Sequence, residues 1–99
     1  MLLHYIMFEW DDEKNEANRQ KHGISFEDIL PIFEHSEAEG LMLEDKRQDY
    51  GEARFILLCP FKGKLIHVTF TWRGDTIRLI SARRANRREI QGYDRLKHH

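Results

Sequence analysis

Hydrophobic residues recur along this chain in three rhythms, and each change of rhythm marks an element. Between Asp12 and Lys21 only Ala17 is apolar, which predicts a polar surface helix that Gly23 ends, as a glycine just past a helix commonly does. Phe26, Ile29, Leu30 and Phe33 then recur at i, i+3, i+4 and i+7, the stripe of a helix with one buried side. Ser25 is its predicted N-cap and Asp28 the return partner of a capping box, with Ile24 and Ile29 placed for a hydrophobic staple. Pro31 lies inside the stripe and predicts a kink or a break, and Glu34 to Gly40 reads as a polar exit.

The rhythm then shortens to two. Ile66, Val68, Phe70 and Trp72 point one way and Leu65, His67, Thr69 and Thr71 the other, as in a strand with two unlike faces. Arg54 to Cys59 is apolar on both faces, like a central strand. Thr76 to Ala82 is a further strand beyond the Arg73-Gly74-Asp75 turn, while Pro60 and Gly63 mark another turn. Leu41 to Glu44 is a weak strand, Asp45 to Gly51 a charged loop, and Tyr5 to Trp10 a short edge strand. Asn86 with Glu89 starts a last helix, with Ile90, Tyr93 and Leu96 as its buried side and Gly92 weakening it by ~1 kcal/mol. The order β-α-α-β-β-β-β-α predicts an α+β fold. It consists of a small antiparallel sheet of about four strands, two N-terminal helices and a C-terminal helix, with the helices on one face.

Composition narrows the class. Ninety-nine residues make one domain, 1–99, too short for a second core. The longest apolar run, Phe55 to Cys59, is far too short to span a bilayer. Acids at Glu9, Asp11 and Asp12 spoil any leader. One cysteine makes no internal disulfide. A cytoplasmic protein is expected, not a membrane, secreted or disulfide-stapled one.

Charge changes the picture more. The net charge is -1, yet residues 1–52 hold five Lys/Arg against fourteen Asp/Glu, residues 53–72 three against none, and residues 73–99 eight against three. Either the halves pair with each other, or the basic half attracts phosphate or an acidic partner.

The histidines are scattered, with no His-x-x-x-His or Cys-x-x-Cys pair, so no metal or other cofactor is expected. His98 and His99 read as a tail or a tag remnant. The six glycines form no phosphate loop, and Ser25 and Ser81 lack a partnered base. What remains is a group of arginines: Arg54, Arg73, Arg78, Arg83, Arg84, Arg87 and Arg88. Arg87 and Arg88 sit in a first helical turn, where the macrodipole disfavours cations.

Metal-free RNA cleavage needs a base for the 2′-OH, cations for the crowded phosphate and an acid for the leaving oxygen. His22 and Glu52 are candidates for the proton steps, and Lys21, Arg54, Arg78 and Arg83 for the cations. Two of these have a specific structural alternative: His22 interacts favourably with a helix C-terminus and Arg54 pairs with Glu52 or Glu44. His67, on the more polar face of its strand, reads as a surface or interface residue. Arg78 and Arg83 lie five residues apart, on opposite faces of a regular strand. They serve one site only if the strand ends or bulges near Ala82.

The same residues carry a family resemblance. Phe8-Glu9-Trp10-Asp11, Lys14, Asn18 and Lys21-His22-Gly23-Ile24-Ser25-Phe26 resemble the opening signature of the BrnT toxins. Tyr50-Gly51-Glu52-Ala53-Arg54 and Ile77-Arg78-Leu79-Ile80-Ser81-Ala82-Arg83-Arg84-Ala85, with Glu89 and Tyr93, resemble the closing one. The resemblance implies a RelE-like fold and a metal-independent endoribonuclease toxin of a type II toxin–antitoxin module. It also implies an antitoxin partner of the BrnA type, in a complex of two toxins with two antitoxins whose DNA-binding domain represses the shared operon. The matching positions are Lys21, His22, Glu52, Arg54, Arg78, Ser81, Arg83, Glu89 and Tyr93, with Ser81 and Glu89 reading as structural. Arg73, Arg84, Arg87 and Tyr93 are expected to bind substrate around the catalytic group. Two rival readings stand: a BrnT-like co-repressor that binds without cleaving, and a structural adaptor whose arginines only pair with the acidic half.

Overall fold

The alternating segment of the sequence becomes the centre of the sheet. In the computed structural model, which describes residues 6–97, the elements run β1 (Met7–Glu9), α1 (Asp12–His22), α2 (Phe26–Glu39), β2 (Leu41–Asp45), β3 (Arg54–Phe61), β4 (Lys64–Arg73), β5 (Thr76–Arg84) and α3 (Arg87–Lys97). Tyr5, His98 and His99 lie outside the described residues. The strand order is β1-β5-β4-β3-β2. β2 to β5 pair antiparallel with their sequence neighbours. The α+β class is as expected, but the sheet has five strands and is mixed. The two helices carry the chain from one edge of the sheet to the other, so β1 arrives parallel to β5, with Met7, Phe8 and Glu9 beside Thr76, Ile77 and Arg78.

One face of the sheet holds the core. Phe26, Ile29 and Ile32 of α2 bury against Leu57 and Cys59 of β3, Ile66, Val68 and Phe70 of β4, and Ile77, Leu79 and Ala82 of β5. Phe33 adds an edge-on contact to Phe70 and a tilted one to Phe8, with ring centroids 5.4 and 5.2 Å apart. Ser25 and Asp28 form the expected capping box.

Two features of α2 differ from expectation. It continues unbroken through Pro31 and includes the polar stretch to Glu39. The proline forfeits only the bond to the Glu27 carbonyl, and both residues are exposed, so water can satisfy that group.

α3 corrects two further expectations. Asn86 and Glu89 cap it reciprocally. Of its apolar residues only Tyr93 is buried, while Ile90 and Leu96 are 41% and 59% exposed. Nor do all the helices share one face. Val68 and Ala82 point into the core, so their neighbours His67 and Arg83 point the other way, and Glu89 of α3 meets both there.

β5 contains the irregularity on which this arrangement rests. Thr69 pairs with Ser81 and Phe70 with Leu79, which leaves Ile80 as the extra residue of a β-bulge. Beyond Arg78 the outer edge of β5 has no strand beside it among the described residues, because β1 is only three residues long. The Asn18 side chain takes that place. Its amide nitrogen donates to the carbonyls of Ala82 (2.7 Å) and Ile24 (2.9 Å), and its oxygen accepts from the Ala82 amide (3.2 Å). Asn18 is the buried residue of the otherwise polar α1, and this explains how so polar a helix docks.

Replacing Asn18 with alanine leaves both backbone groups of Ala82 unpaired in the interior. The expected loss is about 2–6 kcal/mol, from roughly 1–3 kcal/mol for each of the two orphaned groups. Urea denaturation should show a lower midpoint at unchanged slope; a loss under about 0.5 kcal/mol would contradict this role.

Candidate functional site

The face of the sheet opposite the α2 core is built in rows across the strands. Glu9 pairs with Arg78, Arg78 with Thr71, and Asp45 with Arg54. Extending the β3–β4 register by one residue sets Arg54 beside Thr71, whose hydroxyl donates to the Ala53 carbonyl. Glu9, Arg78, Thr71, Arg54 and Asp45 therefore form one row. Four residues further along β4 lies the row of Arg83, His67, Leu58 and Leu41, about 13 Å away at ~3.3 Å per residue. Ser81 and Thr69 sit between. The bulge at Ile80 brings Arg78 and Arg83 onto this common face, which a regular strand would not do.

At the Arg83 end the guanidinium makes a two-pronged pair with Glu89, both contacts 2.8 Å. This fork geometry is the strongest form of arginine–carboxylate bond. It holds the Glu89 carboxyl down at about 2, aided by the Asn86 amide and opposed by partial burial. His67 lies 3.4 Å from Glu89 through Nε2 and is only 4% exposed. Burial first, then the Arg83 charge, push its pKa below 6.5, so it is neutral at pH 7. Its Nδ1 is buried and has no hydrogen-bond partner among the described residues. Of the two expectations for His67, exposed surface is overturned: it is buried, in contact with Glu89 of α3.

The Arg54 end is built differently. The guanidinium of Arg54 sits 4.1 Å above the Tyr50 ring. It pairs with neither Glu52 nor Glu44, and among the described residues its buried Nε has no partner. Tyr50 is held by a hydrogen bond from its hydroxyl to Asp45 (2.9 Å), and Asp45 takes a fork from Arg47, both contacts 2.9 Å. These bonds keep the buried Asp45 carboxyl ionised far below its usual range, with the Arg47 bond the largest cause. Arg47 itself is 74% exposed, yet close enough to Arg83 and His67 for its charge to be felt by both.

The other predicted residues divide between this face and elsewhere. Arg78 pairs with Glu9 at 3.2 Å. Glu52 and Arg73 pair at 3.7 Å, where β3 begins and β4 ends, on the Arg54 side of the sheet. His22 is not on this face. It lines a hollow beneath the core-side end of β4 and β5, together with Arg84, while Lys21 is exposed on the last turn of α1. Arg87 is exposed at the start of α3. Tyr93 is buried and donates to the Glu39 carbonyl, a structural task. Among the described residues no group of three or more His, Cys, Asp or Glu is placed to hold a metal.

Sequence reasoning missed Arg47, Tyr50 and His67 as site residues, and gave Glu89 only its capping role. A tyrosine five residues after Asp45 was visible, but nothing in the spacing says that a loop folds back over a sheet.

The Arg83–Glu89 pair fixes a pH dependence. Its stabilisation is complete above pH 4.5, the ordinary glutamate value, and disappears as pH falls through about 2. The size is of the order of 3–3.5 kcal/mol, at about 1.4 kcal/mol for each pH unit between those two values. Acid unfolding of Glu89→Gln should lose most of that slope between pH 4.5 and 2 relative to wild type; an unchanged profile would mean that the pair does not stabilise the fold.

Comparison with known proteins supplies the frame for this geometry. No curated protein matches the chain. Among the described residues no helix is long and apolar enough to cross a membrane. A family described as "Ribonuclease toxin, BrnT, of type II toxin-antitoxin system" matches residues 10–89, a span that runs from Trp10 at the end of β1 to Glu89, where the last helix closes on Arg83. With four-fifths of its length inside that match, the chain belongs to the BrnT family of ribonuclease toxins of type II toxin–antitoxin systems.

Proposed function

We propose that the arginine face of the sheet is where this ribonuclease toxin binds and cleaves RNA, without a metal, using the substrate's own 2′-OH. The observation that carries the reading is Arg54: a guanidinium stacked on a tyrosine, with a buried nitrogen that has no partner, on the same face as Arg78 and Arg83. A buried unpaired donor costs free energy that an incoming phosphate oxygen would recover.

Arg54 and Arg78 neutralise the scissile phosphate. Arg83, about 13 Å away, and Arg47 hold a phosphate further along the strand. The two rows are too far apart for the three arginines to close on a single phosphate without bending inward. Glu52, beside the Arg54 row, takes the proton from the 2′-OH. The 2′-oxygen then bonds to phosphorus, the bond to the 5′-oxygen breaks, and the same proton returns to that oxygen. The products are a 2′,3′-cyclic phosphate and a free 5′-OH. His22, expected as the other proton carrier, stands on the far side of the sheet's end and takes no part in this step.

The family role implies an antitoxin as well as RNA. A BrnA-type antitoxin, two copies to two toxins, would cover the same face with an acidic segment that competes with phosphate. Operator DNA would then be reached through the antitoxin. A toxin of cellular RNA works in the cytoplasm. A second reading, binding without cleavage as a co-repressor, is favoured by the resting state of Arg78 and Arg83, each already tied to a carboxylate.

Purified protein should cut RNA to 2′,3′-cyclic ends. Arg54→Ala should slow single-turnover cleavage about 100-fold or more, the usual cost of one preorganised charge donor. Glu52→Gln should lose cleavage while still shifting RNA in a gel. Arg83→Ala is a poorer probe because it strands Glu89, so folding must be checked by circular dichroism. RNA that is shifted but left whole by the folded wild type would establish the co-repressor reading instead.

A further inference from the structure

The hollow that took His22 away from the cleavage face has the makings of a site of its own. It lies where the α1–α2 corner meets the end of the sheet, and measures about 290 Å³. That is the low end of the range for ligand pockets, room for about one nucleotide. Its floor is apolar, from Ile24, Ile29, Phe61 and Ile66, and its rim is cationic, from Lys62, Lys64 and Arg84 beside His22. Among the described residues none of these three cations has an acidic partner. The carboxylate on the rim, Asp28, is engaged with the Ser25 backbone in the capping box.

Lys62 adds an independent sign. It occupies the first position of the two-residue β3–β4 turn at φ 52, next to Gly63 at φ 79. Turns of this kind demand left-handed backbone and favour Asn-Gly; a lysine there is uncommon and strained. Its ammonium lies 5.3 Å from the centroid of the Phe61 ring, so the strained residue delivers a charge to the edge of an aromatic surface.

Position relative to the cleavage face gives the ligand its identity. Arg83 and Arg84 are consecutive and point to opposite sides of the sheet, Arg83 to Glu89 and Arg84 into the hollow. A strand of RNA held at Arg83 has only to turn over the end of β5 to reach Arg84. Aromatic surface for a base beside cations for its phosphate is the pattern by which proteins hold unpaired nucleotides.

We propose that this hollow is a second RNA subsite, which takes one nucleotide beyond the phosphate held at Arg83: its base against Phe61, its phosphate between Lys62, Lys64 and Arg84. The proposal rests on RNA as the ligand of the arginine face but not on cleavage there.

The test separates the two. Binding is measured by fluorescence anisotropy with a labelled 2′-O-methyl RNA of eight nucleotides, which cannot be cut through its 2′-oxygens. Lys62→Glu and Lys64→Glu together should weaken binding at least tenfold and lower the steepness of its salt dependence by about 1.4, the value for two lost single-strand phosphate contacts. Phe61→Leu should weaken it several-fold with the salt dependence unchanged. Lys14→Glu, an exposed lysine about two turns back along α1 from Lys21, controls for general charge. A double variant that binds within twofold of wild type, or a Lys14→Glu that loses as much, overturns the subsite. If wild type binds this RNA through the hollow but never cuts ordinary RNA, the subsite stands and the cleavage reading falls.

Discussion

The pairing of Asn18 with Ala82 sets most of what surrounds it. β1 is too short to cover the outer edge of β5, and an uncovered edge next to a bulge would fray or recruit another strand. A single asparagine side chain supplies both the donor and the acceptor that a neighbouring strand would have offered. With that edge held, the bulge at Ile80 is stable, Arg83 turns to the same face as Arg78, and Arg84 turns into the hollow at the α1–α2 corner. The amide of Asn18 also ties down Ile24, so one residue fixes the helical corner, the strand end and the direction of two cations.

The lopsided charge of the chain resolves into two populations. Some basic residues are compensated: Arg78 by Glu9, Arg47 by Asp45, Arg73 by Glu52 and Arg83 by Glu89. The acidic half thus pairs with the basic half at two of these four points, Arg78 with Glu9 and Arg73 with Glu52. Other basic residues, Arg54, Lys62, Lys64 and Arg84, have no such partner among the described residues. On the proposed reading, compensated arginines keep a fixed geometry and would exchange a carboxylate for a phosphate, while uncompensated ones would attract the phosphate first. A near-neutral protein can in this way present local basic surface without the self-repulsion of a strongly charged one.

Much of the fold was legible because its signals are local. The Ser25 capping box, the α2 stripe at Phe26 and Ile29, the alternation of β4 and the Asn86–Glu89 cap depend on residues within a few positions of each other. The long-range decisions were not legible. No pattern says that β1 pairs parallel with β5, since that follows from where two helices deliver the chain. Pro31 misleads because what decides its cost is whether the Glu27 carbonyl reaches water, a tertiary fact. Ile90 and Leu96 follow the helical rhythm yet stay exposed, and Asn18 hides in a polar helix as its buried residue. For the site, arginine content and spacing point to Arg54, Arg78 and Arg83, and make the bulge the condition for Arg78 and Arg83 to share a site. His22 qualifies on residue type alone and lies on the other side of the sheet. Arg47, Tyr50 and His67 converge on the face through a loop and a strand partner, and convergence of that kind leaves no mark in one sequence.

Backbone amide chemical shifts recorded while 2′-O-methyl RNA is added test most directly whether RNA lies across the arginine face of β4 and β5. Large changes are expected at residues 67–71 and 78–83, together with the Arg54 side chain. Changes confined to α1 and α2, with those strands silent, would contradict that placement.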